Sequence, residues 1–140
     1  MARYLLDTNI LVFLITEEDD ELSHEVNFIL DDYYNQVETS SIAMMELVQL
    51  CRIGKIKLKK GTKLNELPDY IHDVLGINIV HFGKEHTKTL SNLEIVAGHK
   101  DPFDHSIISH AITDRYTLIS SDSKFKDYEK QNLNLVYNER

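Results

Sequence analysis

Between His99 and Asp122 the chain spells out a helix that must run into a strand, and this stretch narrows the fold more than any other. Asp101 stands where an N-cap belongs, Pro102 where the first helical residue belongs, and Asp104 in the first turn. Ile108, Ala111 and Ile112 continue at helical spacing on the side that carries Asp104. Thr117-Leu-Ile119 follows as a short strand ending at Ser120, Ser121 and Asp122. An acid at the head of an apolar stripe points along the core surface and needs a partner there. Both acids also suit a helix start, so this stretch alone leaves simple capping and a site open.

The same grammar recurs along the chain. Arg3 to Leu6 is an apolar run ending at Asp7, and Ile10 to Ile15 reads as a core helix beginning near Thr8. Asp7 can cap that helix. After an acidic run from Glu17 to Glu21, apolar residues from Leu22 to Tyr34 recur at three and four, which predicts an amphipathic helix. Val37 to Thr39 is a minimal strand, and Ser40 or Ser41 caps a helix reaching about Ile53, stopped by Gly54. Leu64 to Leu75 is a weaker helix around Pro68, Ile77 to Val80 a strand, and Lys84 to Val96 a helix. Ser123 to Tyr128 is a short turn or helix, and Leu133 to Val136 a last strand. Strands alternating with helices imply an α/β fold with a mostly parallel sheet, here within one domain over residues 1–140.

In such sheets ligands bind beyond the carboxyl ends of the strands, where the strand order reverses. Asp7 and Asp122 each follow a strand, Asp104 opens a helix, and Glu46 is the only charged residue between Ile42 and Cys51. All four therefore fit one edge of the sheet. Glu46 with Gln49 and Arg52 also reads as the wet edge of a buried helix. Carboxylates crowded into one pocket repel unless protons or a cation intervene. Oxygen ligands without thiolates suit Mg²⁺ or Mn²⁺, which polarise a phosphoryl oxygen and activate water for phosphodiester hydrolysis.

The formal charge of −8 excludes a general nucleic-acid coat protein, yet a metal and a local basic patch still permit an enzyme acting on nucleic acid. Lys55, Lys57, Lys59, Lys60 and Lys63 form such a patch, read either as a solvated connector or as a contact to RNA backbone. Of the seven histidines, His81/His86 and His105/His110 are spaced five apart, off one helical face, which opposes a zinc site and predicts mostly surface or interface roles. A lone Cys51 excludes an internal disulfide and suits a reducing cytoplasm. No apolar run approaches the roughly 20 residues that span a bilayer, and the start lacks a signal-peptide pattern.

Leu5-Leu-Asp7-Thr-Asn9, the helix with Glu46, Asp101-Pro-Phe-Asp104 and Leu118-Ile-Ser-Ser-Asp122 together resemble the PIN-domain family, and more narrowly the VapC-type ribonuclease toxins of bacterial toxin–antitoxin pairs. The resemblance implies a three-layer α/β/α domain with four or five central strands. It assigns Asp7, Glu46, Asp104 and Asp122 to an acidic, metal-binding catalytic quartet, with Thr8 and Ser120 as supporting groups and Asp101 mainly as a cap. It also implies an RNA substrate, a homodimer and a cognate antitoxin. One departure is His105, where many relatives carry Arg. The competing reading is a weakly catalytic PIN-like binding module held in a protein–DNA regulatory complex. A phosphatase or a receiver shares the acidic sheet edge, but a receiver's paired early acids and late lysine are not evident.

Overall fold

A computed structural model describes residues 1–140. Five strands, β1 (Arg3–Leu6), β2 (Gln36–Ser40), β3 (Asn78–Val80), β4 (Thr117–Ser120) and β5 (Asn134–Tyr137), form one sheet in the order β3-β2-β1-β4-β5. Every pairing is parallel, with Leu5 opposite Glu38 on one side and Leu118 on the other. Helices α1 (Thr8–Ile15), α2 (His24–Asp31), α3 (Ser41–Arg52), α4 (Leu67–Asp69), α5 (Lys84–Asn92) and α6 (Pro102–Asp114) cover it as a three-layer α/β/α fold. Parallel strands need crossovers, and each crossover places a helix on a face. The expected four or five strands are five. The order reverses between β1 and β4, so the crevice beyond Leu6 and Ser120 is the switch point.

The core is one cluster of 24 buried apolar residues. Leu5 and Leu6 of β1, Leu118 and Ile119 of β4, and Ile107, Ile108 and Ala111 of α6 are fully buried. Of the stripe read from the sequence of α6, Ile108 and Ala111 are fully buried and Ile112 half-buried, and burial extends beyond it to Ile107, Ser109 and His110.

Three elements stop short of the sequence expectation. Helix α2 ends at Asp31 because Asp32 turns extended and its Oδ1 accepts the Tyr34 N–H, which leaves Tyr33 and Tyr34 exposed. Helix α5 ends at Asn92, where Leu93 becomes extended. The weak helix around Pro68 breaks into a 3₁₀ turn (Leu64–Glu66), the short α4 and a π turn (Tyr70–Val74). Proline lacks the N–H that a continuous ladder needs.

The C-terminus is tied into the fold by Asn138, which is fully buried. Its backbone N–H donates to the Ser120 carbonyl at 2.7 Å, and its side-chain amide donates to Glu21 O and Ser121 Oγ, both at 2.8 Å. Its Oδ1 accepts the Ser23 N–H at 2.7 Å. No helix is long and apolar enough to cross a membrane.

Candidate active site

β1 ends at Leu6, and the next residue, Asp7, caps α1 with its Oδ1 accepting the Thr8 N–H at 2.8 Å. Its Oδ2 accepts from Ser120 Oγ at 2.6 Å and from Asn9 Nδ2 at 3.1 Å. Asp7 is thus both a cap and a buried acid held by the neighbouring strand. Ser120 also accepts the Asp122 N–H at 3.0 Å, and Asn9 Oδ1 accepts the Ser121 N–H at 3.1 Å. Two polar side chains therefore stitch the ends of β1 and β4 together at the switch point. Asp122 caps the following 3₁₀ helix (Ser123–Gln131) by accepting the Lys124 N–H.

Glu46 reaches the same crevice from the second turn of α3, whose start is capped by Ser40. The Thr8 hydroxyl donates a short hydrogen bond to its Oε1. Asp101 caps α6 through Oδ1, which accepts the Phe103 and Asp104 N–H groups. The expectation of a mainly capping Asp101 is extended here. Its carboxylate also lies with those of Glu46 and Asp104, with one ligand oxygen of each within 4.8 Å of the others. Asp7, Thr8, Asn9, Glu46, Asp101, Asp104 and Asp122 line one open pocket of about 290 Å³, floored by Val12, Phe13 and Leu50.

The electrostatics match this crowding. Burial lifts the Asp7 carboxyl from 3.8 to about 7, with the Ser120 hydrogen bond opposing and the charge of Asp104 adding. Burial likewise raises Asp104 to about 7, reinforced by Asp101, Glu46 and Asp122 and opposed by Lys124. Glu46 is raised by burial against the pull of Thr8. Acids this reluctant to ionise are neutralised either by protons or by a cation. The converging donors are all oxygens with no thiolate among them, a set that fits a hard divalent cation.

Lys55, Lys57, Lys59, Lys60 and Lys63 are all exposed on the segment after α3, anchored by the half-buried Ile56 and Leu58. Lys59 pairs with Glu17.

The histidines correct the sequence reading. His24, His72 and His81 are exposed, but His99, His105 and His110 are buried. Packing of α5 on α6 brings His86 Nε2 to 2.7 Å from Asp114 Oδ2, with His110 Nε2 3.5 Å from the same oxygen and the two rings 4.0 Å apart. Spacing along the chain missed this because the partners come from two helices. His86 Nδ1 accepts the Gly83 N–H, so its Nε2 carries the proton and donates to Asp114. That is the arrangement of a clamp between helices rather than of a metal ligand. His105 is buried with its Nε2 3.2 Å from the Tyr128 hydroxyl, and it does not line the acidic pocket.

Sequence reasoning left Asn9, His99 and Tyr128 without roles. The Asp7-Thr-Asn9 spacing was a readable signal for Asn9. None existed for Tyr128, which reaches His99 and His105 only through tertiary packing.

An acidic pocket at the switch point of a parallel sheet with order β3-β2-β1-β4-β5 defines the class: an α/β domain with a cluster of carboxylates that could hold a metal ion. The PIN domain family model matches residues 4–131, and the chain belongs to that family. Solved structures extend the likeness over the whole chain. VapBC2 from Rickettsia felis, bound to a DNA fragment from its promoter, is similar at 26% identity and a TM-score of 0.70, covering 98% of this chain and 99% of the other. DNA-bound VapBC from Salmonella typhimurium shares the fold at 15% identity and 0.65, covering 98% of both chains. VapBC-1 from nontypeable Haemophilus influenzae does so at 17% and 0.64, covering 96% and 97%. No curated protein matches by sequence.

Proposed function

We propose that this chain is a divalent-metal-dependent endoribonuclease, the toxin of a toxin–antitoxin pair. The observation that carries the proposal is the convergence of Asp7, Glu46, Asp104 and Asp122, with Asp101, on one pocket whose acids resist ionisation. A pure scaffold gains nothing from such repulsion. Glu46, Asp101 and Asp104 would hold Mg²⁺ or Mn²⁺, with Asp7 and Asp122 on the β1–β4 side of the same pocket. The cation supplies a Lewis acid for the phosphoryl oxygen and a more acidic water.

The chain's own residues do the positioning. Ser120 and Asn9 hold Asp7, and Thr8 fixes the orientation of Glu46. Asp101 keeps the start of α6 in place, and with it Asp104. The exposed lysines from Lys55 to Lys63 offer a flexible contact to the RNA backbone. A cognate antitoxin belongs to the same proposal, supported by the likeness to VapBC complexes, and a homodimer and a cytoplasmic setting are proposed with it.

The test is cleavage of labelled RNA by the purified chain. Cleavage should require Mg²⁺ or Mn²⁺, stop with EDTA, and be suppressed by the product of the adjoining reading frame. Cleavage indifferent to EDTA would refute the metal-dependent reading. The similar complexes from Rickettsia felis and Salmonella typhimurium are DNA-bound, which favours one second reading, a binding module in a regulatory complex. Absence of cleavage in a metal-loaded chain, with DNA binding alongside a partner, would select it.

A further inference from the structure

We infer that His99 is a positioning residue for Asp104, holding that carboxylate for a hard divalent cation through a buried hydrogen-bonded relay anchored on Tyr128. The inference rests on the metal-centre reading above and adds to it the residues that orient one of its ligands.

His99 is 4% exposed, and both of its ring nitrogens are engaged. Nε2 lies 2.9 Å from Asp104 Oδ2, and Nδ1 lies 3.0 Å from the Tyr128 hydroxyl. That hydroxyl also accepts the Val96 N–H at 3.3 Å and lies 3.2 Å from His105 Nε2. With Asp104 ionised, as a cation ligand must be, the following assignment pairs every one of these contacts. His99 Nε2–H donates to Asp104, Tyr128 O–H donates to His99 Nδ1, and His105 Nε2–H and Val96 N–H donate to the Tyr128 oxygen. Neither His99 nitrogen is left to coordinate a metal, so its role is to fix a ligand rather than to be one. Asp104 Oδ2 is committed to the protein, and Oδ1 has no protein donor.

The relay is built to be stiff. Tyr128 is fully buried, and the rings of His105 and Phe125 pack on His99 with centroids 4.9 and 6.2 Å away. The His99 N–H closes a turn on Val96 O, which sets the ring just ahead of the α6 cap. A carboxylate whose rotation is stopped this way meets a cation in one orientation, and loss of such a partner typically costs 10–100-fold in metal affinity.

The test is Mn²⁺ binding by calorimetry on the full chain, with melting in EDTA as the folding control. His99→Leu keeps the bulk and removes both nitrogens, and should weaken Mn²⁺ binding by about 10–100-fold. His99→Gln retains an N–H donor of similar reach and should recover most of it. In an Asp104→Asn background His99→Leu should have little further effect, a coupling that general loosening of the fold would not give. Wild-type Mn²⁺ affinity in folded His99→Leu overturns the inference. If His99→Leu does not fold, Tyr128→Phe decides, with a several-fold loss expected and an unchanged affinity overturning it. A wild-type chain that binds no Mn²⁺ brings down the metal-centre reading itself, and this inference with it.

Discussion

Replacing Asp7 by Asn should stabilise the metal-free fold at alkaline pH, and the structure gives the size of the effect. A carboxyl moved from 3.8 to about 7 costs the folded state about 4 kcal/mol once it is ionised. The sign follows from proton counting. Between these two values the folded chain binds more protons than the unfolded one, so stability falls as pH rises from about 4 to 7 and then levels off. Asn removes that cost but loses an acceptor. With its amide oxygen on the Thr8 N–H, its NH₂ faces Ser120, whose hydroxyl can rotate to accept, and Asn9, whose amide cannot. That mismatch costs about 1–2 kcal/mol. The net gain at pH 8 in EDTA is about 2 kcal/mol, or roughly 5 °C in Tm for a chain of this length. Near pH 4 the gain should vanish and the variant should be slightly the less stable. Saturating Mg²⁺ should reverse the order at pH 8, since a ligand at 100 times its Kd adds about 2.7 kcal/mol to a wild type that binds it. Thermal melts of both proteins across pH, with EDTA and with Mg²⁺, read all three. An Asp7→Asn variant that is the less stable at pH 8 in EDTA, or a gap that does not narrow in acid, would refute the reasoning.

Within Asp101-Pro-Phe-Asp104, Asp104→Asn should lower Mg²⁺-dependent RNA cleavage by at least ~100-fold with the fold intact, while Asp101→Asn, which keeps the cap, should lose less. Reversed rates at saturating Mg²⁺ would exchange the two assignments. Asp101→Ala should cost about 1 kcal/mol in urea unfolding, the usual effect of a lost N-cap. Changing Lys57, Lys59 and Lys60 to Gln should weaken RNA binding about equally across sequences and flatten its salt dependence by up to ~3 charges, and an unchanged slope would make the segment a solvated connector. Asn138→Ala should destabilise by about 2 kcal/mol, measured in urea, because it removes a buried amide that serves three half-buried partners at Glu21, Ser23 and Ser121.

The strands and the acids were legible because both follow local rules. Short apolar runs stopped by an acid or a serine locate β1 and β4, Val37 to Thr39 before the capping Ser40 locates β2, and the stops after β1 and β4 deliver Asp7 and Asp122 to the switch point. The dual nature of Asp7 was legible too, as a cap and as a pocket acid; Asp101 and Asp122 likewise cap helices and line the pocket. What the sequence withheld depends on contacts between distant segments. Tyr33 fits a helical stripe in the sequence, yet Asp32 bends the chain before the helix can include it. His86 and His110 look unrelated until α5 lies on α6. Tyr128 carries no local mark of its partnership with His99, because 29 residues separate them.

Asn138 and the sheet order bear on how the molecule comes off the ribosome. β1 is made first but lies in the middle of the sheet, and its β4 side stays an open edge until residues 117–120 have emerged. The acids arrive in the order 7, 46, 104 and 122, so a nascent chain carries only half of the four from residue 46 until residue 104 is made. The segment bearing Asp122 is held first by Asn9 and Ser120, and gains a further tie when Asn138 donates to Ser120 and Ser121. Vectorial synthesis therefore leaves the pocket without its last acid until the segment after β4 has been made.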